Sequence, residues 1–373
     1  MNNTPLSLYI HFPWCVRKCP YCDFNSHEAV GDIPEAQYVK TLVTDLEAEL
    51  ELDDRRALTS IFMGGGTPSL FSPRAISDLL SSIRSYFHFD DIEITMEANP
   101  GTFDQENFCG YREAGVNRIS IGAQSFSASY LQSLGRIHNP GDILTSFRGA
   151  REAGFERINL DLMHGLPGQS VDHALEDLQS AVELAPEHIS WYQLTIEPNT
   201  VFYRYPPVLP PEAELENIQE SGASLLQGAG FRQYEVSAYA RSGQASIHNM
   251  NYWQFGDYIG LGAGAHGKIT HGNGITRTTK SRVPKDYLNN PIGKRIEVPA
   301  CETNLEFLMN ALRLNTGFTY DLFEVRTGNS REDLKPFVRR ALSKGLIEQG
   351  VEDGITPTPL GRQFLNDLLV LAD

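Results

Sequence analysis

Three cysteines within eight residues, Cys15, Cys19 and Cys22, are the side chains of this 373-residue chain whose type and spacing most directly suggest chemistry. They follow the short run Leu8-Tyr9-Ile10-His11-Phe12, so three thiolates share one loop after an expected strand. Three sulfurs can hold three irons. Iron–sulfur clusters usually take four cysteine ligands, so a triplet leaves one iron open to an external ligand such as the amine and carboxylate of an amino acid. The alternative is a zinc site completed by His11 or His27, although zinc ligands more often come as two well-separated pairs. Five cysteines in a chain of this length are too few for a disulfide framework. Cys109 and Cys301, far from the triplet, read as buried apolar fillers.

The elements that must position this loop follow a βα rhythm over the first two hundred residues. Short β-branched or aromatic runs at 8–12, 60–63, 92–96, 118–122, 157–162 and 188–195 alternate with amphipathic stretches. That is the pattern of parallel strands with helical crossovers, an α/β chain. Ser72-Pro73 announces a helix over 75–86, and Thr102-Phe103-Asp104 one over 105–114. Each strand leads into a polar or glycine-rich element: the cysteine loop, Gly64-Gly65-Gly66-Thr67-Pro68, Glu97-Ala98-Asn99-Pro100, Gln124-Ser125, 161–165 and Glu197-Pro198. In a barrel or an open doubly wound sheet these positions converge at the strand C-termini, where such folds place ligands. Taken singly, the triple glycine could be a tight turn, and Asp161 or Glu97 a helix cap.

Beyond residue 200 the rhythm breaks at Tyr205-Pro206-Pro207-Val208-Leu209-Pro210-Pro211, followed by a helical segment from 212 to about 227. Residues 231–270 mix aromatics with glycine and add strands beside the core, whereas 271–300 is rich in turn formers. The last part predicts two amphipathic helices, a hairpin from 345–348 and 354–357, and a final helix, a winged-helix-like module. With 8 basic and 11 acidic residues from Glu302 onward, the module is a docking or structural cap rather than a DNA binder. The expected division is 1–235, 236–300 and 301–373. The whole chain, 41% apolar and 21% charged, is that of an ordinary globular protein, and its net charge of −16 argues against nucleic acid as a partner. Its start has no basic region followed by an apolar stretch, and no segment approaches the ~18 apolar residues of a membrane span. The expectation is a cytoplasmic protein without a transmembrane segment, compatible with peripheral membrane contact.

The three-residue then two-residue cysteine spacing, with Tyr21 before the third cysteine, resembles the signature of radical S-adenosylmethionine proteins. The likeness continues through Gly64–Pro68, Glu97, Gln124, Leu134-Gly135-Arg136-Ile137-His138 and the run from Asn159 to Gly168. This ordered set is similar to oxygen-independent coproporphyrinogen III oxidases and their haem-chaperone relatives. It implies a partial (β/α)6 radical-SAM barrel with a C-terminal winged-helix-like module, and as cofactors a 4Fe–4S cluster, S-adenosylmethionine and haem. By the same resemblance Tyr9 and Tyr21 flank the cluster. Gly65 and Gly66 let backbone approach the methionine portion of the cofactor, and Thr67 adds a hydroxyl. Arg136 pairs with its carboxylate, and Glu97, Gln124 and Asp161 meet the amine and ribose hydroxyls.

Within that family the oxidases carry a further cysteine two residues beyond the triplet, where this chain has Phe24. It also has His248-Asn249-Met250-Asn251-Tyr252-Trp253, matching a His-Asn-x-x-Tyr-Trp motif of the haem-chaperone branch. An imidazole can ligate haem iron and the aromatics can pack a macrocycle, while the plainer reading of His248 is a core histidine. His266, in Gly264-Ala265-His266-Gly267, is a second candidate. These features imply a chaperone that delivers haem to acceptor haemoproteins, respiratory haem enzymes among them. The alternative is a porphyrinogen-oxidising radical enzyme.

Overall fold

The computed structural model describes residues 4–50, 56–102, 104–272, 274–350 and 353–372. Six parallel strands run in chain order across the middle of one sheet: β1 (Leu6–Phe12), β2 (Leu58–Gly65), β3 (Glu93–Ala98), β4 (Arg118–Gln124), β5 (Arg157–His164) and β6 (His188–Gln193). Helices α1 (Glu35–Leu50), α2 (Pro73–Arg84), α3 (Gln105–Ala114), α4 (Pro140–Glu152) and α5 (Val171–Glu183) cross over between them. Five of the strands run two residues past an expected end, and β6 stops two short. The extra residues include Gly65 and Gln124, which the strands carry to the rim. Ser72 caps α2 through Ala75 N and Asp104 caps α3 through Asn107 N. Phe103, part of the expected start of α3, lies outside the described residues.

Strand alternation explains what the barrel holds. β3 places Ile94, Met96 and Ala98 on one face and Glu93, Thr95 and Glu97 on the other, and β4, β5 and β6 repeat the pattern with Arg118, Ser120, Asn159, Asp161, His188 and Ser190 inside. The apolar set joins the main core with the crossover helices. Much of the polar set is paired, although Thr95 Oγ1 has no partner among the described residues: Asn159 Nδ2 donates to Ser120 Oγ (2.7 Å) and Asp161 Oδ1 (2.8 Å), and Arg157 lies 2.9 Å from Glu93. Pairing of this kind is what makes a buried polar face tolerable.

The sheet stays open, a partial (β/α)6 barrel. After α6 (Glu212–Gly228), β7 (Arg232–Glu235) and β8 (Ala238–Ala240) extend it antiparallel beyond β6. At the other side, α7 (Ile247–Trp253) leads into β9 (Asp257–Leu261), parallel to β1, and then antiparallel β10 (His266–His271), β11 (Gly274–Thr279) and β12 (Lys294–Val298). The region 271–300, expected to be turn-rich, therefore contains two strands. β12 is exposed along almost its whole length and charged, as sheet edges often are, which removes the alternation that marks a strand.

The C-terminal module is winged-helix-like: α8 (Ala300–Ala311), β13 (Phe318–Thr319), α9 (Tyr320–Thr327), α10 (Arg331–Ser343), β14 (Ile347–Gln349) and β15 (Gly354–Pro357), with a second apolar core that also takes in Phe255 and Ile275. The expected hairpin is β14 against β15, its turn including residues 351 and 352 that are outside the described set. Three helices precede it rather than two. The extra one, α9, is 8 residues long and its following residue Gly328 has φ +72°, too short a helix to show an apolar stripe. Cys301 is exposed and Cys109 half-buried, so neither is the buried filler expected. No described helix is long and apolar enough to cross a membrane.

Candidate functional site

Main-chain bonds fix the cysteine loop at the mouth of the barrel. Gly66 N donates to Phe12 O (2.7 Å), Thr67 N to Trp14 O (2.8 Å), and Ala29 N to Cys15 O (2.9 Å). The glycines are needed for this contact as well as for access. Gly65 has φ +108°, and a Cβ there would meet the His11 ring at 2.3 Å; one on Gly66 would lie 2.5 Å from Trp14 O. On the far side, Phe202 N donates to Pro20 O at 3.0 Å. A Cβ on Gly135, φ +66°, would strike the Pro20 ring at 2.8 Å.

Inside this rim a cavity of ≈ 320 Å³ is lined by the three cysteines and by Tyr21, Gly65, Gly66, Thr67, Glu97, Gln124, Arg136 and Asp161. Arg136 donates to Gly122 O (2.9 Å) and reaches Cys19 Sγ (3.6 Å), while its buried Nε has no partner among the described residues. A buried guanidinium nitrogen left open in this way suits a carboxylate. Glu97 accepts from Gly65 N at 3.0 Å, and burial together with the Asp161 charge pushes its carboxyl up to about 8. Gln124 adopts φ +67° at a register shift where β4 leaves β5, and its Oε1 accepts from Tyr192 OH (2.7 Å). A non-glycine residue in the left-handed region at a strand end is strain that re-aims a side chain into a site.

The zinc alternative finds no support in this geometry. Both His11 nitrogens are engaged, Nδ1 with Tyr9 OH (2.8 Å) and Nε2 with Asn25 O (2.8 Å), and His27 is held by Arg282 O at 3.0 Å. Among the described residues no group of three or more His, Cys, Asp or Glu side chains is placed to hold a single metal ion. The three thiols instead share a cavity with an open cation and two carboxyl groups, a donor set that fits a cluster carrying an amino-acid ligand. Ser120 and Tyr192 also line it and were not singled out from sequence. The signal that finds them is the strand alternation, since both lie on the inward face with Asp161.

Two expected site residues are elsewhere. Tyr9 does not line this cavity. Strand parity turns it with Ser7 and His11 away from Leu8 and Ile10, stacks it on Phe62 (5.9 Å), and leaves it lining a second cavity. His248 lines neither: it is 5% exposed, stacked on Phe62 at 4.1 Å, with Nδ1 3.0 Å from Glu93 and 2.9 Å from Ser246 Oγ. It belongs to a buried charge network. Burial alone would raise the Glu93 carboxyl, but the His248 hydrogen bond and the Arg118 and Arg157 charges outweigh it and hold Glu93 well below the usual carboxylate range. The second cavity, ≈ 660 Å³, lies between β1 and the strands after α7 and is lined by Tyr252, Trp253, His266 and Arg282 among others. Phe24, 61% exposed, lines both cavities.

Comparison with known proteins agrees with this arrangement. Residues 9–181 match the Radical SAM superfamily and residues 302–364 the HemN C-terminal domain. The heme chaperone HemW of Haemophilus influenzae is 50% identical over 374 residues, spanning 98% of this chain and 97% of its own. That of Escherichia coli is 49% identical, over 98% of both chains. The structure of coproporphyrinogen III oxidase (HemN) from Escherichia coli superposes with a TM-score of 0.83, covering 100% of this chain and 91% of that one at 24% identity, a likeness of fold.

Proposed function

The chain belongs to the HemW family of the radical SAM superfamily, and from that premise we propose that it is a haem chaperone, which binds haem, a 4Fe–4S cluster and S-adenosylmethionine and delivers haem to acceptor haemoproteins. In this reading Cys15, Cys19 and Cys22 hold the cluster. When bound, the cluster supplies an open iron for the amine and carboxylate of S-adenosylmethionine. Arg136 Nε pairs with that carboxylate. Glu97 becomes ionised against the amine, because a nearby cation favours the charged carboxylate. Asp161, already oriented by Ser120 Oγ at 2.8 Å, offers its oxygens to ribose hydroxyls. Gln124 and Thr67 add polar contacts, and Tyr21 and the two glycines shape the wall. Residues 1–235 form the working barrel, 236–300 an extension of its sheet and 301–373 a docking cap. A cytoplasmic setting accords with this assignment, with respiratory haem enzymes as the acceptor class.

The observation that carries the chaperone reading over an oxidase is Phe24. An exposed phenyl ring stands between the two cavities, at the position where the oxidases carry a further cysteine. The test is anaerobic reconstitution followed by two assays on the same preparation. Saturable haem binding with transfer to an apo-haemoprotein, and no decarboxylation of coproporphyrinogen, is the expected result. Conversion of coproporphyrinogen to protoporphyrinogen would overturn it.

A further inference from the structure

Haem is a flat macrocycle with two apolar faces, two carboxylates along one edge and an iron at the centre that takes a neutral imidazole. The ≈ 660 Å³ cavity has a counterpart for each of these features. Its volume falls within the range of about 300–1,000 Å³ typical of pockets that enclose small ligands. Its walls are aromatic: Tyr252 stands edge-on to Tyr258 with ring centroids 4.9 Å apart, and Tyr9 and Trp253 complete them. Trp253 Nε1 has no acceptor among the described residues.

The basic side is equally informative. Lys268 and Arg277 also line the cavity, but each already has a carboxylate, Asp257 at 2.9 Å and Glu306 at 2.5 Å respectively. Arg282 lines it with no carboxylate partner among the described residues, and so is available to a ligand's anionic edge.

Two histidines line the cavity and they differ in one respect. His11 has both ring nitrogens engaged. His266, at the start of β10, is exposed and makes no side-chain hydrogen bond to a described residue. Its main chain is held in place, since β10 packs so closely on β9 that a Cβ on Gly260 would meet His266 O at 1.9 Å. Partial burial, with the charges of Arg277 and Arg282, lowers its imidazole below the ordinary histidine value and favours the neutral, ligating form.

We propose that haem occupies this aromatic cavity, with His266 as the axial ligand to its iron and Arg282 paired with a propionate. The assignment rests on the haem-chaperone reading and adds the residues that hold the cargo. It moves the ligand role from His248, which the fold keeps in the core.

The experiment titrates haem into the full chain and into His266→Ala, His248→Ala and Arg282→Glu, recording visible spectra and retention on a desalting column beside circular dichroism. His266→Ala should change the haem spectrum and weaken retention by roughly tenfold or more, the scale expected for perturbing a metal site. Added free imidazole should restore the spectrum. Iron-free protoporphyrin should bind the wild type and His266→Ala equally, whereas Arg282→Glu should weaken both tetrapyrroles. A folded His266→Ala protein with the wild-type haem spectrum and retention overturns the site while leaving the chaperone reading intact. A wild-type protein that binds no haem overturns both.

Discussion

The two cavities that meet at Phe24 are built by different rules. The smaller is assembled from consecutive strands of one barrel and the loops at their C-terminal ends, gathers directed polar side chains beside the three cysteines, and includes a buried guanidinium nitrogen without a partner among the described residues. The larger gathers Tyr9, Tyr252, His266 and Arg282 from segments separated by more than two hundred residues, and its walls are rings. A site for a small charged cofactor needs directed hydrogen bonds from a rigid frame. One for a broad apolar cargo that must leave again needs area and few bonds. The difference suggests retention at one site and release at the other.

The largest effect that would sharpen this contrast is on the cluster. Replacing Cys15, Cys19 or Cys22 by Ala should abolish the broad visible absorbance of the reconstituted protein, whereas Cys109→Ala and Cys301→Ala should leave it; loss of absorbance in either control would break the three-ligand assignment. Next is a stability effect in the buried charge network around Glu93. His248→Ala removes a buried partner of Glu93 and should cost about 2–4 kcal/mol in urea unfolding, with the haem spectrum unchanged. Altered haem binding at wild-type stability would return His248 to the cargo site.

Arg136→Ala should weaken S-adenosylmethionine by about 2–3 kcal/mol in calorimetry with iron content retained. Unchanged affinity would remove Arg136 from the site. The smallest effect is a slope. Glu97 binds its proton more tightly folded than unfolded, so its contribution to the cofactor-free protein falls as pH rises from its unfolded value towards about 8. Glu97→Gln should flatten the stability profile in that window by at most about 1.4 kcal/mol per pH unit. Superimposable profiles would show that Glu97 is ionised in the empty cavity.

The smaller cavity was largely legible in the sequence, because most of its parts sit at or just after a strand's end with a residue type that stands out: cysteine, glycine, a polar side chain such as Glu97 or Gln124. The larger was not. Tyr252 and Trp253 were visible as a motif, but the histidine that opens it points into the core. The family resemblance places Tyr9 beside the cluster, and strand parity sends it the other way, into the second cavity. Edge strand β12 and helix α9 escaped for a related reason, since one is almost wholly exposed and the other too short to carry a period. What local pattern cannot encode is which distant faces the open sheet brings together.

The main-chain bonds that hold the cysteine loop, from Gly66 and Thr67 to Phe12 and Trp14 and from Ala29 to Cys15, use peptide groups only and none of the three thiols. On the proposed reading, a loop seated by its backbone would be in place before a cluster is bound, so loading would be a late maturation step into a prepared seat. Oxygen damage in such a protein would strip the inorganic part and leave the scaffold ready for repair, so loss and reloading could cycle within the lifetime of one molecule.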